Sequence, residues 1–400
     1  MSFLAKRMGC IQPSPTLEIA SQAQKLKMSG RDIISLSAGE PDFDTPEHIK
    51  QAAINALNLG KTKYTAVDGI IELKKAIISR LKQDHNLMYD VNQISVGNGA
   101  KQCIYNLFMS TLNDGDEVII PAPYWVSYPD IVKIAGGNPV IVDCGNTSKL
   151  TADLLESVIT EKTKWLILNS PNNPTGLVYT YDELKDIAQV LLKYRNVHVM
   201  TDDIYSKIVY DDVEFFTIAQ VEPDLYSRVF LVNGVSKAYA MTGWRIGYIA
   251  GAAEVIKAIS VIQSQSTTNP NSIAQFAAVE ALTGDQEFLK ERNNIFMARR
   301  DMMLDMINNT SLLFVEKPHG AFYVFISCKE AIGKTTKSGF CITSAMDFTK
   351  YLLEDYNVAV VPGEAFGVQG FFRVSYATST KDVSEACNRI LTACNKLLDR

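Results

Sequence analysis

The chain has 400 residues, of which 47% are hydrophobic and 21% are charged, and its formal net charge is −5 at pH 7. This composition is typical of a globular protein, and the length predicts a large domain with a smaller companion. The net negative charge does not indicate a basic surface that would bind nucleic acid, so small molecules are the expected partners.

The chain has no apolar run of about 18 residues and no apolar core of a secretion signal near its N-terminus. Its seven cysteines are scattered without a C-x-x-C motif, as expected for reduced thiols. We therefore expect a soluble cytoplasmic protein.

The first informative stretch is "QISVGNGAKQCIYNLFMSTL", residues 93–112, which predicts a strand, a glycine turn and a helix. A glycine turn that leads into a helix presents unpaired N–H groups and the positive end of the helix dipole to an anion. The spacing matches neither a Walker A loop nor a complete dinucleotide-binding fingerprint. Such turns are common, so this one by itself predicts no more than an anion site.

Between residues 116 and 251, short runs rich in Val, Ile and Leu alternate with helical segments. The runs are apolar at every position, which is typical of strands buried on both faces of a mostly parallel sheet. We therefore predict an α/β fold with helices on both faces of the sheet. The runs are "DEVIIPAP", "KWLILNSP", "VHVMTDD", "RVFLVNGVS" and "GYIAG".

After about residue 284 the pattern changes to a long polar helix, "EFLKERNNIFMARRDMMLDMI", followed by three strands and a closing helix. The strands are "GAFYVFISC", "NVAVVPG" and "FFRVSYA". This order predicts a small α+β domain, which the N-terminal segment is expected to join. We expect a large domain of residues 48–288 and a small domain of residues 1–47 with 289–400.

Four of the predicted strands end in residues that carry useful chemistry. Ligands of open α/β sheets bind beyond the carboxyl ends of the strands. Each residue alone has an ordinary explanation as a turn or capping residue, but four coinciding strand ends predict one pocket. The residues are Tyr124 and Trp125, Asn169 and Asn173, Asp202 and Tyr205, and Ser236 and Lys237.

Lys237 lies in "NGVSKAYAMTGWRIGY", directly after Ser236, with Arg245 eight positions on. Together with the helix N-terminus near Ala100, Ser236 and Arg245 predict a phosphate clamp. A lysine in an enclosed pocket near an arginine loses its proton more readily and becomes a nucleophile that forms Schiff bases. Such a lysine beside a phosphate clamp indicates pyridoxal phosphate as a cofactor.

Pyridoxal phosphate also needs a carboxylate at its ring nitrogen, donors at its phenolic oxygen and a flat surface against its ring. Asp202 is the candidate carboxylate, Asn173 and Tyr205 are the candidate donors, and Trp125 is the candidate surface. The ordinary alternatives are a solvated lysine, a helix N-cap at Asp202 and a core tryptophan. The occurrence of all these residues in chain order favours the cofactor site.

Seven longer motifs occur along nearly the whole sequence: "AGEPDFDTP", "KYTAVDGIIELKKAI", "PAPYWVSYPD", "NSPNNPTG", "TDDIY", "SKAYAMTGWRIGY" and "FFRVSYATS". Together they resemble the motifs of class I aminotransferases of fold type I, in the aspartate aminotransferase subgroup found in bacteria. The resemblance extends from about Pro13 to the C-terminal helix. Some members of this subgroup also accept prephenate.

The resemblance implies that Lys237 binds pyridoxal 5′-phosphate covalently and moves a proton between substrate and cofactor. It implies that Tyr64 reaches the phosphate of the neighbouring subunit, so that a homodimer shares its active sites. Arg373 matches the arginine that binds the α-carboxylate of the substrate, and Gly39 matches a backbone contact to the same carboxylate on a segment that closes over the site. The implied cofactor-binding residues are Tyr64, Gly99, Ala100, Lys101, Trp125, Asn173, Asp202, Tyr205, Ser236, Lys237 and Arg245, and the substrate-binding residues are Gly39, Lys101, Trp125, Asn173 and Arg373.

The resemblance further implies a reversible, ping-pong transfer of the amino group from L-aspartate to 2-oxoglutarate. In this subgroup the distal carboxylate of the substrate is associated with residues that match Lys101, Ser14 and Thr16. Relatives that accept prephenate carry a basic residue where this chain has Gln12, which puts prephenate use in question. Asp203 stands where relatives commonly have glutamate, a change that we expect to be neutral.

Other interpretations stay open at this point. The same cofactor would serve a transferase of aromatic amino acids, of prephenate or arogenate, or of neutral amino acids, and it would also serve a β-lyase. A ligand-sensing regulator would need a DNA-binding domain ahead of the fold, and the motifs are already under way by Pro13. The four histidines, at positions 48, 85, 198 and 319, have no metal-ligand spacing, so no metal is expected.

Overall fold

The computed structural model describes residues 3–397 of the chain. None of the helices in this range is both long and apolar enough to cross a membrane. The helices are α1 (Pro15–Met28), α2 (Glu47–Asn58), α3 (Ile71–His85), α4 (Ala100–Thr111), α5 (Tyr128–Ile134), α6 (Ala152–Val158), α7 (Tyr181–Lys193), α8 (Ile218–Val221), α9 (Ala253–Ser264), α10 (Ser272–Thr283), α11 (Glu287–Ile307), α12 (Ala345–Tyr356) and α13 (Thr380–Cys394). The strands are β1 (Ile34–Ser35), β2 (Ile94–Gly97), β3 (Glu117–Ala122), β4 (Asn138–Asp143), β5 (Thr163–Asn169), β6 (His198–Asp202), β7 (Val229–Gly234), β8 (Gly247–Ala250), β9 (Phe314–Val315), β10 (Tyr323–Ser327), β11 (Val358–Ala359), β12 (Val361–Pro362) and β13 (Phe371–Ser375).

The central sheet has seven strands in the order β2-β8-β7-β6-β5-β3-β4. Its strands pair in parallel except β8, which is antiparallel to both of its neighbours. Strands β3, β5, β6, β7 and β8 coincide with the five apolar runs of the sequence. The predicted α/β class with a mostly parallel sheet is therefore confirmed.

Strand β5 shows why these runs are apolar at every position. Successive side chains of a strand point to opposite faces of the sheet. Trp165 and Ile167 pack into the hydrophobic cluster that contains buried residues of α4 and α9. Leu166 and Leu168 pack into the larger cluster on the other face, which contains residues of α3, α7 and α10. Both faces are covered, so side chains that point to either face at residues 165–168 are apolar.

Strand β4 is not among the predicted strands, and its sequence explains why. It is an edge strand that pairs only with β3. Of its six residues only Val142 is buried. Its apolar run covers only residues 140–142 and follows Pro139, and such a short run beside a proline is weak sequence evidence for a strand.

Two smaller sheets complete the fold. Strands β12, β13, β10 and β9 form an antiparallel sheet, in that order. Strand β1 pairs in parallel with β11, so the N-terminal segment pairs with the C-terminal part of the chain. The long helix α11 packs against the closing helix α13.

The parallel register brings the predicted strand ends together. Asn169, at the end of β5, lies beside Asp202, at the end of β6. Asp202 in turn lies beside Val232 of β7, five residues before Lys237. The loops that follow these strands therefore leave the sheet at the same edge.

Candidate active site

A cavity of about 440 Å³ opens at the carboxyl edge of the central sheet. Small-molecule sites commonly have volumes of about 300–1,000 Å³. Most of the residues that the sequence predicts for one pocket line this cavity. They are Thr16, Gly39, Ala100, Lys101, Trp125, Asn169, Asn173, Asp202, Tyr205, Ser236, Lys237, Arg245 and Arg373.

Lys237 projects into this cavity from the turn after β7. Its Nζ atom donates a hydrogen bond of 2.5 Å to the carbonyl oxygen of Gly39. The residue as a whole is only partly covered, but the amine is enclosed by the cavity walls. Burial lowers the pKa of this amine to about 8, and the positive charges of Arg245 and Arg373 contribute in the same direction. The predicted nucleophilic amine therefore has a suitable environment.

Asp202, at the end of β6, is 5% exposed and supplies the carboxylate of the cavity. Its Oδ2 atom accepts a hydrogen bond of 2.8 Å from the Tyr128 hydroxyl, and its Oδ1 atom accepts one of 3.3 Å from the backbone N–H of Ile204. Burial raises the pKa of this carboxyl to about 6. Within residues 3–397 no lysine or arginine forms an ion pair with it, so a protonated ring nitrogen would supply the missing positive charge.

Arg373, on β13, forms the opposite wall of the cavity and is 3% exposed. Its Nη1 atom donates to Asn173 Oδ1 at 2.9 Å, and its Nη2 atom donates to the Ser37 carbonyl oxygen at 2.7 Å. Its Nε atom is buried and has no hydrogen-bond partner among the described residues. A buried donor without a partner carries a free-energy cost, which an incoming carboxylate would remove.

The N-terminus of α4 forms the anion-binding end of the cavity. No side chain caps this helix at Gly99, the residue before its first turn. A Cβ atom at Gly99 would lie 2.4 Å from Nη2 of Arg245, so the guanidinium group packs directly on this glycine. Ser236 and Ala100 line the cavity beside it. Uncapped N–H groups, a hydroxyl and a guanidinium group are the donors that a phosphate requires.

Lys101 and Trp125 lie together on the cavity wall. The Nζ atom of Lys101 is 4.8 Å from the centroid of the Trp125 ring, within the range of a cation–π contact. Burial, followed by the charge of Arg245, lowers the pKa of Lys101. Thr16 also lines the cavity, and its hydroxyl is 2.9 Å from that of Ser14. The cation and the hydroxyls expected to bind a distal carboxylate therefore occur near one cavity.

Four predicted residues do not line this cavity. Ser14 contacts it through the hydroxyl of Thr16, which is a lining residue. Gly99 lies behind the Arg245 guanidinium group. Tyr124 lines a separate, much smaller cavity instead. Tyr64 is 90% exposed, so within a single chain it contacts no part of the site.

The sequence analysis did not identify every residue of the cavity. Tyr128 lies in the quoted motif "PAPYWVSYPD", but only the structure shows its hydrogen bond to Asp202. Tyr323 lies in a predicted strand, and its hydroxyl is 2.9 Å from that of Tyr205. Glu40 and Thr242 also line the cavity, and the Thr242 hydroxyl donates to Glu40 Oε2 at 2.7 Å. Local sequence patterns carry no signal for contacts between segments so far apart.

The sequence profile of the family described as "Aminotransferase class I and II" matches residues 31–390. A protein of Rickettsia felis named "Probable aspartate/prephenate aminotransferase" is 54% identical over 399 residues, which cover 99% of this chain and 98% of that protein. A protein of Cereibacter sphaeroides named "Aspartate/prephenate aminotransferase" is 52% identical over 98% of this chain and 99% of that protein.

Solved structures give the same result. The crystal structure of the aspartate aminotransferase from Rhizobium meliloti superimposes with a TM-score of 0.97 at 50% identity and covers all of both chains. The structure of aspartate aminotransferase from Thermus thermophilus with maleate superimposes with a TM-score of 0.92 at 38% identity and covers 98% of this chain and all of that one.

Proposed function

Since this chain belongs to the family of class I and II aminotransferases, we propose that it transfers the amino group of L-aspartate reversibly to 2-oxoglutarate. The products are oxaloacetate and L-glutamate, and the kinetics are ping-pong. The names of the relatives support this choice, because each includes aspartate as a substrate. The Thermus relative was solved with maleate, which is a four-carbon dicarboxylate like oxaloacetate.

One observation carries the proposal. A single cavity holds a buried amine, a buried carboxylate without a cationic partner, and a buried guanidinium group with an unpaired Nε atom, which belong to Lys237, Asp202 and Arg373. These groups suit pyridoxal 5′-phosphate together with an amino acid. When bound, this cofactor supplies a reactive carbonyl and a ring that takes up negative charge from the substrate Cα.

Several residues would hold this cofactor. Asp202 would pair with the ring nitrogen, and Tyr205 and Asn173 would donate to the phenolic oxygen. Trp125 would cover one face of the ring. The phosphate would bind at the N-terminus of α4, with donors from Gly99, Ala100, Lys101, Ser236 and Arg245.

The chain's own residues perform two tasks on the substrate. Arg373 binds the α-carboxylate through its planar fork, with Gly39 beside it. The Lys237 amine removes the proton from the substrate Cα and returns a proton later. A pKa of about 8 leaves part of this amine unprotonated at neutral pH and still basic enough to accept a proton.

Lys101, with the hydroxyls of Thr16 and Ser14, would bind the distal carboxylate and so favour aspartate and glutamate over neutral amino acids. The exposed side chain of Tyr64 would reach the phosphate of a second copy, which makes the enzyme a homodimer with shared active sites. We also propose that residues 48–288 form the large domain, that residues 1–47 and 289–400 form the small one, and that the enzyme works in the cytoplasm.

Prephenate is a second candidate acceptor. Apolar side chains of Leu17, Ala20 and Ile104 line the cavity together with Lys101 and offer a surface for a ring. The names of two relatives include prephenate. Gln12 replaces the basic residue expected in prephenate-using relatives, and this replacement argues for weaker use of prephenate. Gln12 itself does not line the cavity.

A panel of amino donors tests the proposal. The purified protein, loaded with pyridoxal 5′-phosphate, is assayed with aspartate, phenylalanine and alanine against 2-oxoglutarate, with glutamate against oxaloacetate, and with prephenate as the alternative acceptor. We expect aspartate and glutamate to have the highest kcat/KM. Inert aspartate and glutamate beside an active aromatic or neutral donor would refute the assignment of the substrate.

A further inference from the structure

Tyr323 is a cavity residue with no role in the function proposed above. It is the first residue of β10 and is fully buried. Its side chain contacts Tyr205 on the cofactor side of the cavity and Arg373 on the substrate side. It also lies against Gly39. No other tyrosine of the cavity contacts both sides within the described residues.

The contact with Tyr205 is a hydrogen bond between two hydroxyl groups whose oxygens are 2.9 Å apart. The two rings meet edge to face, with centroids 5.8 Å apart. Phe322 contacts the Tyr205 ring as well, also edge to face, at 5.4 Å. Packing and hydrogen bonding therefore hold the Tyr205 hydroxyl in place.

The direction of this hydrogen bond follows from the number of protons. Each tyrosine hydroxyl has one proton to donate. If Tyr205 donates its proton to the phenolic oxygen of the cofactor, it cannot also donate to Tyr323. Tyr323 is then the donor and Tyr205 the acceptor. A hydroxyl that accepts a hydrogen bond becomes a stronger donor, because hydrogen bonds in a chain polarise one another.

The contact with Arg373 is made by the ring. The guanidinium carbon of Arg373 is 4.4 Å from the centroid of the Tyr323 ring, within the range of a cation–π contact. The ring therefore supports the guanidinium plane whose Nε atom has no partner. A Cβ atom at Gly39 would lie 2.9 Å from the Tyr323 hydroxyl oxygen, so the same side chain leaves room only for glycine at position 39.

We propose that Tyr323 is a positioning residue that connects the two sides of the active site: its hydroxyl donates to Tyr205, and its ring supports Arg373. The inference rests on the proposed function, because the direction of the hydrogen bond depends on the task given to Tyr205. The two parts of the side chain have separate tasks, so two substitutions separate them.

The hydroxyl is tested with Tyr323→Phe, which keeps the ring. The readout is the pH midpoint at which the visible absorbance of the bound cofactor shifts, measured by spectrophotometric titration. Without the hydrogen bond from the Tyr323 hydroxyl, Tyr205 is a weaker donor and stabilises negative charge on the phenolic oxygen of the cofactor less well. The midpoint therefore moves to higher pH. Loss of one relayed hydrogen bond predicts a shift of about 0.3 to 1 pH unit.

Tyr376→Phe is the matched control. Tyr376 is a buried tyrosine whose hydroxyl contacts the carbonyl oxygen of Ala321 at 3.4 Å, outside the cavity wall. Loss of the Tyr376 hydroxyl should leave the pH midpoint of the cofactor absorbance unchanged. An unchanged midpoint in Tyr323→Phe would overturn the proposed hydrogen bond, and a shift to lower pH would show that Tyr205 is the donor instead.

The ring is tested by comparing Tyr323→Leu with Tyr323→Phe. The leucine variant should raise KM for aspartate and for 2-oxoglutarate by about 3- to 30-fold, whereas the phenylalanine variant should change both by less than about twofold. Equal KM values in the two variants would overturn the support of Arg373 by the ring. If the leucine variant does not fold, Tyr323→Met replaces it in the same comparison of KM values, and the phenylalanine titration decides the task of the hydroxyl independently.

Failure of the proposed function has a different signature. A wild-type protein that develops no visible absorbance with pyridoxal 5′-phosphate would refute the cofactor assignment, and with it the task given to Tyr205. A wild-type protein with normal absorbance and an unshifted Tyr323→Phe variant would refute the proposal for Tyr323 alone.

Discussion

The Nζ atom of Lys237 donates a hydrogen bond of 2.5 Å to the carbonyl oxygen of Gly39, a residue 198 positions earlier in the chain. A neutral amine that donates one proton to a carbonyl still has its lone pair available. Burial favours this neutral form by lowering the pKa of the amine. The contact thus holds the amine inside the cavity without using the electron pair that would react.

Lys237→Ala should remove the reacting amine. We expect kcat to fall by about 10³-fold or more, because the variant lacks both the covalent attachment and the proton acceptor. Lys193→Ala is a control that should leave kcat unchanged, since this lysine pairs with Glu156 at 2.9 Å on the surface. Borohydride reduction of the loaded wild-type protein, followed by peptide mapping, should place the cofactor on Lys237, and a label on any other lysine would contradict the assignment.

The rate at which the apo-protein takes up pyridoxal 5′-phosphate should depend on pH. Only the neutral amine of Lys237 attacks a carbonyl, and its pKa is lowered from the ordinary 10.5 to about 8. The rate should therefore rise as the pH increases through about 8 and then level off. Stopped-flow absorbance measures this rate. A simple alkylamine is the control, and its rate of reaction with pyridoxal 5′-phosphate should still rise above pH 9. If the rate for the protein also kept rising above pH 9, the lowered pKa of Lys237 would be contradicted.

Asp202→Asn should impair the reaction far more than Asp203→Asn. An amide at position 202 cannot supply the negative charge that keeps the ring nitrogen protonated, so we expect kcat to fall by about 10²- to 10³-fold. At position 203 an amide oxygen can still accept the 2.6 Å hydrogen bond from the Thr201 hydroxyl, and less than a tenfold loss is expected. The kcat values of the two isosteric variants are compared by steady-state kinetics. Equal losses of kcat would contradict the assignment of the ring-nitrogen contact to Asp202.

Arg373→Lys should weaken binding of the α-carboxylate of every substrate. Lysine keeps the charge but lacks the planar fork and cannot keep the hydrogen bonds to Asn173 and Ser37 in the same geometry. We expect kcat/KM to fall by about 10- to 100-fold for aspartate and glutamate alike. Arg389→Lys, at a surface arginine that pairs with Glu385, should leave kinetics unchanged. An Arg373→Lys enzyme with wild-type kcat/KM would exclude the assigned contact.

Lys101→Ala should change the choice of substrate. The Lys101 amine lies over the Trp125 ring, where it would meet a distal carboxylate. Its loss should lower kcat/KM for aspartate relative to alanine by about tenfold or more. The ratio of the two kcat/KM values is the measurement, since a general loss of phosphate binding would lower both values together. An unchanged ratio would assign Lys101 to the phosphate alone.

Much of the central sheet could be predicted from the sequence because strands buried on both faces must be apolar at every position. The runs that became β3, β5, β6, β7 and β8 show this directly. The edge strand β4 was not predicted because its apolar run, residues 140–142, is short and follows a proline. Asn173, Asp202, Tyr205 and Lys237 could be predicted as neighbours because parallel strands end at one edge of the sheet.

The sequence by itself determined which chemical groups the chain carries and which of them follow buried strands, since both depend on local periodicity. Only the tertiary structure decided which distant groups meet. Arg373 contacts Asn173 across 200 positions, Tyr323 contacts Tyr205 across 118, and Tyr128 reaches Asp202 across 74. Such contacts depend on how the smaller sheets and the loops pack against the central sheet. Packing of this kind is a property of the whole chain, which no local pattern encodes.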